Sequence, residues 1–436
     1  MEDLQSYKTE KLGNYILDIA AGPFGSNLKV DCFVPDGFPI IDGANLKDFK
    51  VTDNVTKFVT EKKARSLHRS IAKRNDVIVT ISGTVGQISY IPKDSKYKEY
   101  LVSQRQFRVT FDDKRVYVPY LVYYFHTKEG QHKILSFANQ TGVPALAQPL
   151  KNFRNIDISL PDISIQKRIV AILESIDNKI ALNNRINHNL EEQAQALYKS
   201  WFVDFEPFKN GVFVDSELGM IPKGWRVGHI EELISDTYNG DWGKDEETGS
   251  FVKRVFCIRG ADIPSIRVGD SGKMPTRFIQ EKHFQSKFLK DNDIVVEISG
   301  GSPTQSTGRF CRVTEELVRR YDNSLICTNF CKALRPKDGY SIYVSYLWND
   351  LYERGILFSY ENGTTGIKNL DLNGLLSGEL IVIPDKNTMG AFSVIVSSLN
   401  QQALFNGHES EKLSCQRDTL IPKLMSGELL ESFLMC

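Results

Sequence analysis

Two rhythms of apolar residues run along this chain, and each occurs twice. Short β-branched runs, Val77–Ile81 and Ile294–Ile298, are bounded by Asn-Asp and Ser-Gly, the pattern of strands that end in turns. Leu, Tyr and Phe at helical spacing over Tyr120–Lys133 and Tyr346–Leu357 predict a helix in each half, so each half reads as a mixed α/β domain. The other rhythm is longer. From Ser164 to Phe202 there is neither Gly nor Pro, which predicts a helix of about 60 Å at 1.5 Å per residue.

That helix carries a seam in alternating steps of four and three: Ile169, Leu173, Ile176, Ile180, Asn183, Asn187, Leu190, Ala194, Leu197 and Trp201. Such spacing specifies a coiled coil. A second seam 223 positions further on reads Val396, Leu399, Ala403, Asn406, Ser410, Leu413, Arg417, Leu420 and Leu424, with Arg417 as its charged exception. The polar positions coincide. Packed antiparallel, the helices bring Asn183 to Ser410 and Asn187 to Asn406, a central polar layer that fixes register at some cost in stability. The alternative is two amphipathic helices lying on separate domain cores.

The repeat extends beyond the helices. Asn75-Asp76-Val77-Ile78-Val79-Thr80-Ile81-Ser82-Gly83 returns 217 positions later as Asn292-Asp293-Ile294-Val295-Val296-Glu297-Ile298-Ser299-Gly300. At the same offset Ile41–Asn45 answers to Ile258–Asp262, while Thr141-Gly142-Val143 answers to Thr365-Gly366-Ile367 at an offset of 224. Internal repetition of this kind organises the whole chain. The fold class is therefore α+β: two repeated mixed α/β domains, residues 1–160 and 207–384, separated by two long antiparallel coiled-coil helices within 161–206 and 385–436. A length of 436 residues suits two or three domains.

Lys plus Arg and Asp plus Glu number 54 each, so the chain is neutral, but residues 1–160 hold 23 basic against 17 acidic groups. Overall neutrality implies modest affinity of the isolated chain for nucleic acid and reliance on a partner. The seven cysteines are odd in number and lack paired C-x-x-C spacing; they read as reduced cytosolic thiols, and no metal site is expected, although Cys311, Cys327 and Cys331 lie close enough in sequence to be weighed as ligands. The acidic start Met1-Glu2-Asp3 and the lack of any long apolar run imply a chain neither exported nor inserted in a membrane.

Catalytic patterns are missing. There is no Asn-Pro-Pro-aromatic motif for gripping a flipped base, no phosphate loop, and no histidine within a triad-like constellation. Asp36, Glu61 and Lys63 superficially resemble the carboxylate-and-lysine set of a metal-dependent nuclease, a short pattern common by chance.

What remains is a binding surface. Lys62, Lys63, Arg65, Arg69, Lys73 and Arg74 place six basic groups within thirteen residues, suited to a phosphate backbone or to a solvated helix face. Arg can read guanine, and Gln or Asn adenine. Polar loops that could do so carry Ser26, Asn27, Lys29, Gln104, Arg105, Thr141 and Gln148 in the first repeat. In the second they carry Trp242, Lys244, Ser302, Gln305, Arg309, Thr364, Thr365, Lys368 and Asn369.

As an ordered set, the strand-and-turn repeats, the Thr-Gly segments, the links Leu160–Val170 and Ile383-Pro384-Asp385, and the run Leu173–Ile180 resemble the specificity subunit of type I restriction-modification systems. So do the run Leu197–Phe202 and the ending Leu420–Leu429. The second link departs from the pattern: Lys386-Asn387-Thr388-Met389-Gly390 replaces a Gln-Lys-Arg stretch, which leaves the start of the distal helix open. The resemblance implies a non-catalytic, cytoplasmic protein whose two target-recognition domains each read half of a split double-stranded DNA site. It implies that the helices set the gap and dock methyltransferase subunits. It also implies no cofactor in this chain: S-adenosylmethionine belongs to the methyltransferase, and ATP and Mg to a motor-nuclease subunit. The rival readings are the nuclease just named and a scaffold that binds protein.

Overall fold

The computed structural model describes residues 9–139, 144–270, 272–300, 305–363 and 368–428. They form two compact units, Met1–Asn178 with Leu413–Cys436, and Lys179–Lys412. Each unit holds one sheet-bearing domain and part of both long helices.

In the first unit an antiparallel sheet runs in the order Ile16–Ala21, Gln106–Phe111, Val77–Thr80, Ile88–Tyr90. The second unit repeats it as Ile234–Asn239, Cys331–Pro336, Ile294–Glu297, Phe310–Arg312. All four residues of Val77–Thr80 and of Ile294–Glu297 are buried, which explains continuous rather than alternating apolar runs. The Asn-Asp that opens each run has a backbone reason. Asn75 and Asn292 sit in the left-handed region at φ 72° and 70°, which Asn tolerates. The next carboxylate, Asp76 or Asp293, closes the turn by accepting from the N–H of Lys73 or Lys290 at 2.8 Å. The two aspartates are then balanced differently: Thr110 donates to Asp76 at 2.6 Å, whereas Arg335 grips Asp293 with two bonds of 2.8 Å. Burial dominates at Asp76 and raises its pKa.

A second sheet in each unit contains a parallel pair, Ile40 with Leu101 and Cys257 with Ile326. Cys257, Cys311, Cys327 and Cys331 are fully buried in the second unit, and burial pushes the Cys331 thiol up to about 12. They are packing groups, and no cluster of three or more His, Cys, Asp or Glu residues suited to a metal occurs among the described residues.

The long helices span Ile163–Phe202 and Lys386–Met425. Their pairing is antiparallel, and the polar layer forms within the second unit. Asn406 donates to Asn187 Oδ1 at 2.9 Å, and Asn183 donates to Ser410 Oγ at 3.2 Å and to Glu409 at 2.8 Å. Asn187 also donates to the Val268 carbonyl of the domain at 3.0 Å. Close beside it Gly407 meets Gly269, where an added Cβ would lie 2.6 Å from the Gly269 carbonyl oxygen. The charged seam position is likewise accounted for: Arg417 pairs with Asp177 at 2.8 Å and lies over the Phe49 ring, within the first unit.

Two sequence expectations change, and one open question is closed. The helix expected over Tyr120–Lys133 is two helices, Val118–Phe125 and Lys128–Leu135, because Thr127 caps the second through Gly130 N and the chain turns between them. The distal helix starts at Lys386 despite its divergent link, since Asp385 accepts from the N–H of Asn387 and Thr388 and from the Thr388 hydroxyl. Met389 buries an apolar side chain where the proximal helix uses Gln166, which instead bonds the backbone of Arg115, Tyr117 and Pro161. Finally, past Ala194 the most buried residues are Tyr198 and Phe202, one step beyond the seam residues Leu197 and Trp201. There the helix faces Tyr343 and Phe392 of its own unit's core.

Candidate nucleic-acid interface

At one end of the first unit's four-stranded sheet two of the sequence candidates, Gln104 and Arg105, meet the loops of neighbouring strands. The turn Ser103–Arg105 leads into the strand Gln106–Phe111, and Gly22, after the strand Ile16–Ala21, seats directly on it. The Gly22 N–H donates to the Gln106 carbonyl at 2.8 Å, and any side chain at Gly22 would overlap the Ser103 carbonyl. Gly25 in turn lies against the Gln104 amide. Between these loops and the segments Asp42–Ala44 and Thr80–Gln87 lies a groove of about 620 Å³. Its walls offer Gln87, Gln104, Gln106 and Arg105 as amide and guanidinium groups, and Thr80, Ser82, Thr84 and Ser103 as hydroxyls. Arg105 is exposed, and among the described residues its guanidinium has no ion-pair partner.

Inside the groove Lys57 lies 2.7 Å from Asp42. Burial works against ionisation of Asp42, but the Lys57 ammonium and the Ala44 N–H outweigh it and hold the carboxyl below the usual range. Ser26, Asn27, Lys29 and Gln148 are exposed; Gln148 takes a left-handed backbone, φ 42°, just before the helix Pro149–Arg154.

The basic run is not one surface. It crosses a short helix, Glu61–Ser66, a turn and the strand Ile71–Lys73. Arg65 is held by Glu61 at 2.8 Å and Glu99 at 2.7 Å, Lys73 lies 4.0 Å from Glu99, and Arg74 donates to the Ser95 carbonyl. Lys62, Lys63 and Arg69 are left without ion-pair partners among the described residues. Glu61 is thus committed to Arg65, and Asp36 belongs to no metal-binding cluster, which removes support for the nuclease set.

The second unit builds the same loop junction with other side chains. Gly240 seats on the carbonyls of Cys327 and Thr328 as Gly22 does on Ser103. Strand register makes Thr328-Asn329-Phe330 the counterpart of Ser103-Gln104-Arg105. Asn329 and Phe330 are exposed, and sequence reasoning missed them because the offset here is 225 rather than 217. Beneath the junction Thr80 and Gln87 of the first unit are replaced by Glu297 and Arg309, joined by two bonds of 2.7 and 2.8 Å; Glu297 is 7% exposed. Trp242 is half-exposed with Arg277 stacked 4.2 Å from its ring centre, and Lys244 pairs its backbone with Phe278. Lys368 bonds Glu361 at 2.9 Å, Asn369 accepts from Ser299, and Gln305 is exposed. Thr141, Ser302, Thr364 and Thr365 lie outside the described residues.

Residues 36–192 match the family model described as a type I restriction modification DNA specificity domain. Most of the chain aligns with curated specificity subunits. The MjaIX specificity subunit of Methanocaldococcus jannaschii is 26% identical over 385 residues, 85% of this chain and 81% of the relative. The HindI specificity subunit of Haemophilus influenzae is 25% identical over 394 residues, 79% of this chain and 84% of the relative. In sequence the chain is similar to the specificity subunits of type I restriction-modification systems. The S subunit from M. genitalium has the same fold, with a TM-score of 0.50 at 15% identity over 97% of each chain. Among the described residues no helix is long and apolar enough to cross a membrane.

Proposed function

We propose that this chain selects the DNA sequence for a type I restriction-modification complex, each repeated domain reading one half of a bipartite site. The observation that carries the reading is the twice-built loop junction: one scaffold, with Gln104 and Arg105 on one copy and Asn329 and Phe330 on the other, presents two different recognition surfaces. Phosphate contacts fall to Lys62, Lys63 and Arg69, the unpaired part of the basic run. The chain itself performs no chemistry and holds no cofactor. Methyltransferase subunits docked on the long helices supply S-adenosylmethionine, a motor-nuclease subunit supplies ATP and Mg chemistry, and the helices set the gap between half-sites in the cytoplasm.

The test is methylation sequencing of DNA treated with the chain reconstituted with its methyltransferase. Replacing Gln104 and Arg105 by Ala should relax one half of the methylated motif, and Asn329→Ala the other half only. A single undivided motif, or both halves changing together, would contradict the reading.

A further inference from the structure

Strand register aligns more than the turns. The pairings Ala20 with Arg108 and Tyr238 with Ala333 make the first strands of the two sheets equivalent at an offset of 218, so Gly22 corresponds to Gly240 and Phe24 to Trp242. Each loop is Gly-x-aromatic-Gly, although the residues around this frame differ. Both aromatics project outward: Phe24 is 82% exposed and Trp242 39%. A lone exposed aromatic is ordinary. The same one at the same place on two diverged copies is not.

The scaffold beneath each ring is fixed. The glycine two residues before it packs on the carbonyl of the base-reading turn, leaving no room for a side chain, and Asn27 N closes the first loop on the Phe24 carbonyl at 2.8 Å. In the second loop Arg277 covers one face of Trp242, bonds its carbonyl at 2.8 Å and pairs with Asp245. The first loop continues into Leu28 and Val30, which line the polar groove. A flat apolar ring on a backbone-closed loop beside amide and guanidinium groups is suited to entering a base stack while its neighbours contact base edges.

We propose that Phe24 and Trp242 are wedges at the edges of their own half-sites, Phe24 inserting between two stacked base pairs and Trp242 laying the face that Arg277 leaves open on the base of a step it opens. Insertion partly unstacks a step and kinks the duplex, which is easiest at pyrimidine–purine steps. Each domain then reads one position by deformability in addition to those its polar side chains read by contact.

The inference rests on the proposed function, and one experiment separates them. A random-sequence duplex library is selected on the full chain reconstituted with its methyltransferase, and the retained DNA is sequenced for unsubstituted protein, F24A, W242A and the conservative W242F. The expected result is a fixed pyrimidine–purine step at one edge of each half-site. F24A should lose it in one half, W242A in the other, with contacted bases unchanged and affinity lowered about 5- to 150-fold, the equivalent of roughly 1–3 kcal/mol of aromatic–base stacking. W242F should keep it. Enrichment of half-sites with the same step distribution in F24A and W242A overturns the wedge alone. So does loss of methyltransferase assembly by size-exclusion chromatography with normal DNA selection in the assembled fraction, which would assign the rings to the protein partner. No half-site enrichment by unsubstituted complex overturns DNA selection and the wedge with it.

Discussion

Replacing Asn406 by Leu puts the polar layer to a quantitative test. Asn406 and Asn187 are 5% and 3% exposed, and the bond between them is 2.9 Å. Removing the Asn406 amide leaves the Asn187 oxygen buried without a donor, at about 1–3 kcal/mol for an unsatisfied group. Asn187→Leu should cost more, about 2–4 kcal/mol, because it strands both the Asn406 amide and the Val268 carbonyl. In the double variant the stranded pair disappears, while the Val268 and Ala403 carbonyls lose the Asn187 donor and Gln402 loses its Asn406 acceptor. The double should therefore be less destabilised than the two singles added together, by about 1–3 kcal/mol of coupling. Urea unfolding of the full chain measures this directly, since Trp201, Trp225, Trp242 and Trp348 all lie in the unit Lys179–Lys412 and their fluorescence reports that unit. Additive single costs would refute the argument that Asn187 and Asn406 stabilise each other.

Four further outcomes are expected. Arg309→Ala should destabilise the second unit by about 3–5 kcal/mol by stranding the Glu297 carboxylate. Glu297→Thr with Arg309→Gln, the solution the first unit uses, should recover most of that in the same unfolding assay. Replacing Lys62, Lys63 and Arg69 by Ala should weaken binding to all sequences alike and shallow the log affinity–log salt slope by about 0.9 per lost contact, whereas Arg65→Ala should leave the slope unchanged because Glu61 and Glu99 already hold that side chain. Acid should loosen the second unit through Glu361, whose carboxyl Lys368 and Thr307 hold below its usual value against the cost of burial. A lowered folded pKa stabilises above the unfolded value of about 4.3 and is lost as pH falls through the folded one, so Glu361→Gln should remove that part of the pH dependence in thermal melts. Inserting seven residues between Asn178 and Lys179 and seven between Lys412 and Leu413 should keep the heptad seam, lengthen each helix by about 10 Å and widen the gap in the methylated motif by about three base pairs with both halves unchanged. A motif with the old gap would count against the helices as a ruler.

The sequence alone determined whatever rests on periodicity and on repetition along the chain. A seam in steps of four and three gives a helix an apolar face that another element must cover. Polar residues at two matching seam positions, Asn183 and Asn187 in one helix and Asn406 and Ser410 in the other, foretold which residues meet once the helices run antiparallel, and the doubled Asn-Asp turns marked two copies of one sheet. Even a divergent link did not hide the distal helix, because Asp385 and Thr388 carry the cap locally. Tertiary structure decided what depends on residues far apart in the chain. Arg65 looks free beside Lys62 and Lys63, yet Glu99, brought in by another strand, occupies it. Tyr198 and Phe202 take over the buried face because the helix there packs on the domain's Tyr343 as well as on Phe392 of the second long helix. The correspondence of Phe24 with Trp242 and of Arg105 with Phe330 emerges only from strand register. Loops of unequal length shift the offset between 217 and 225, and backbone pairing realigns what insertion has displaced.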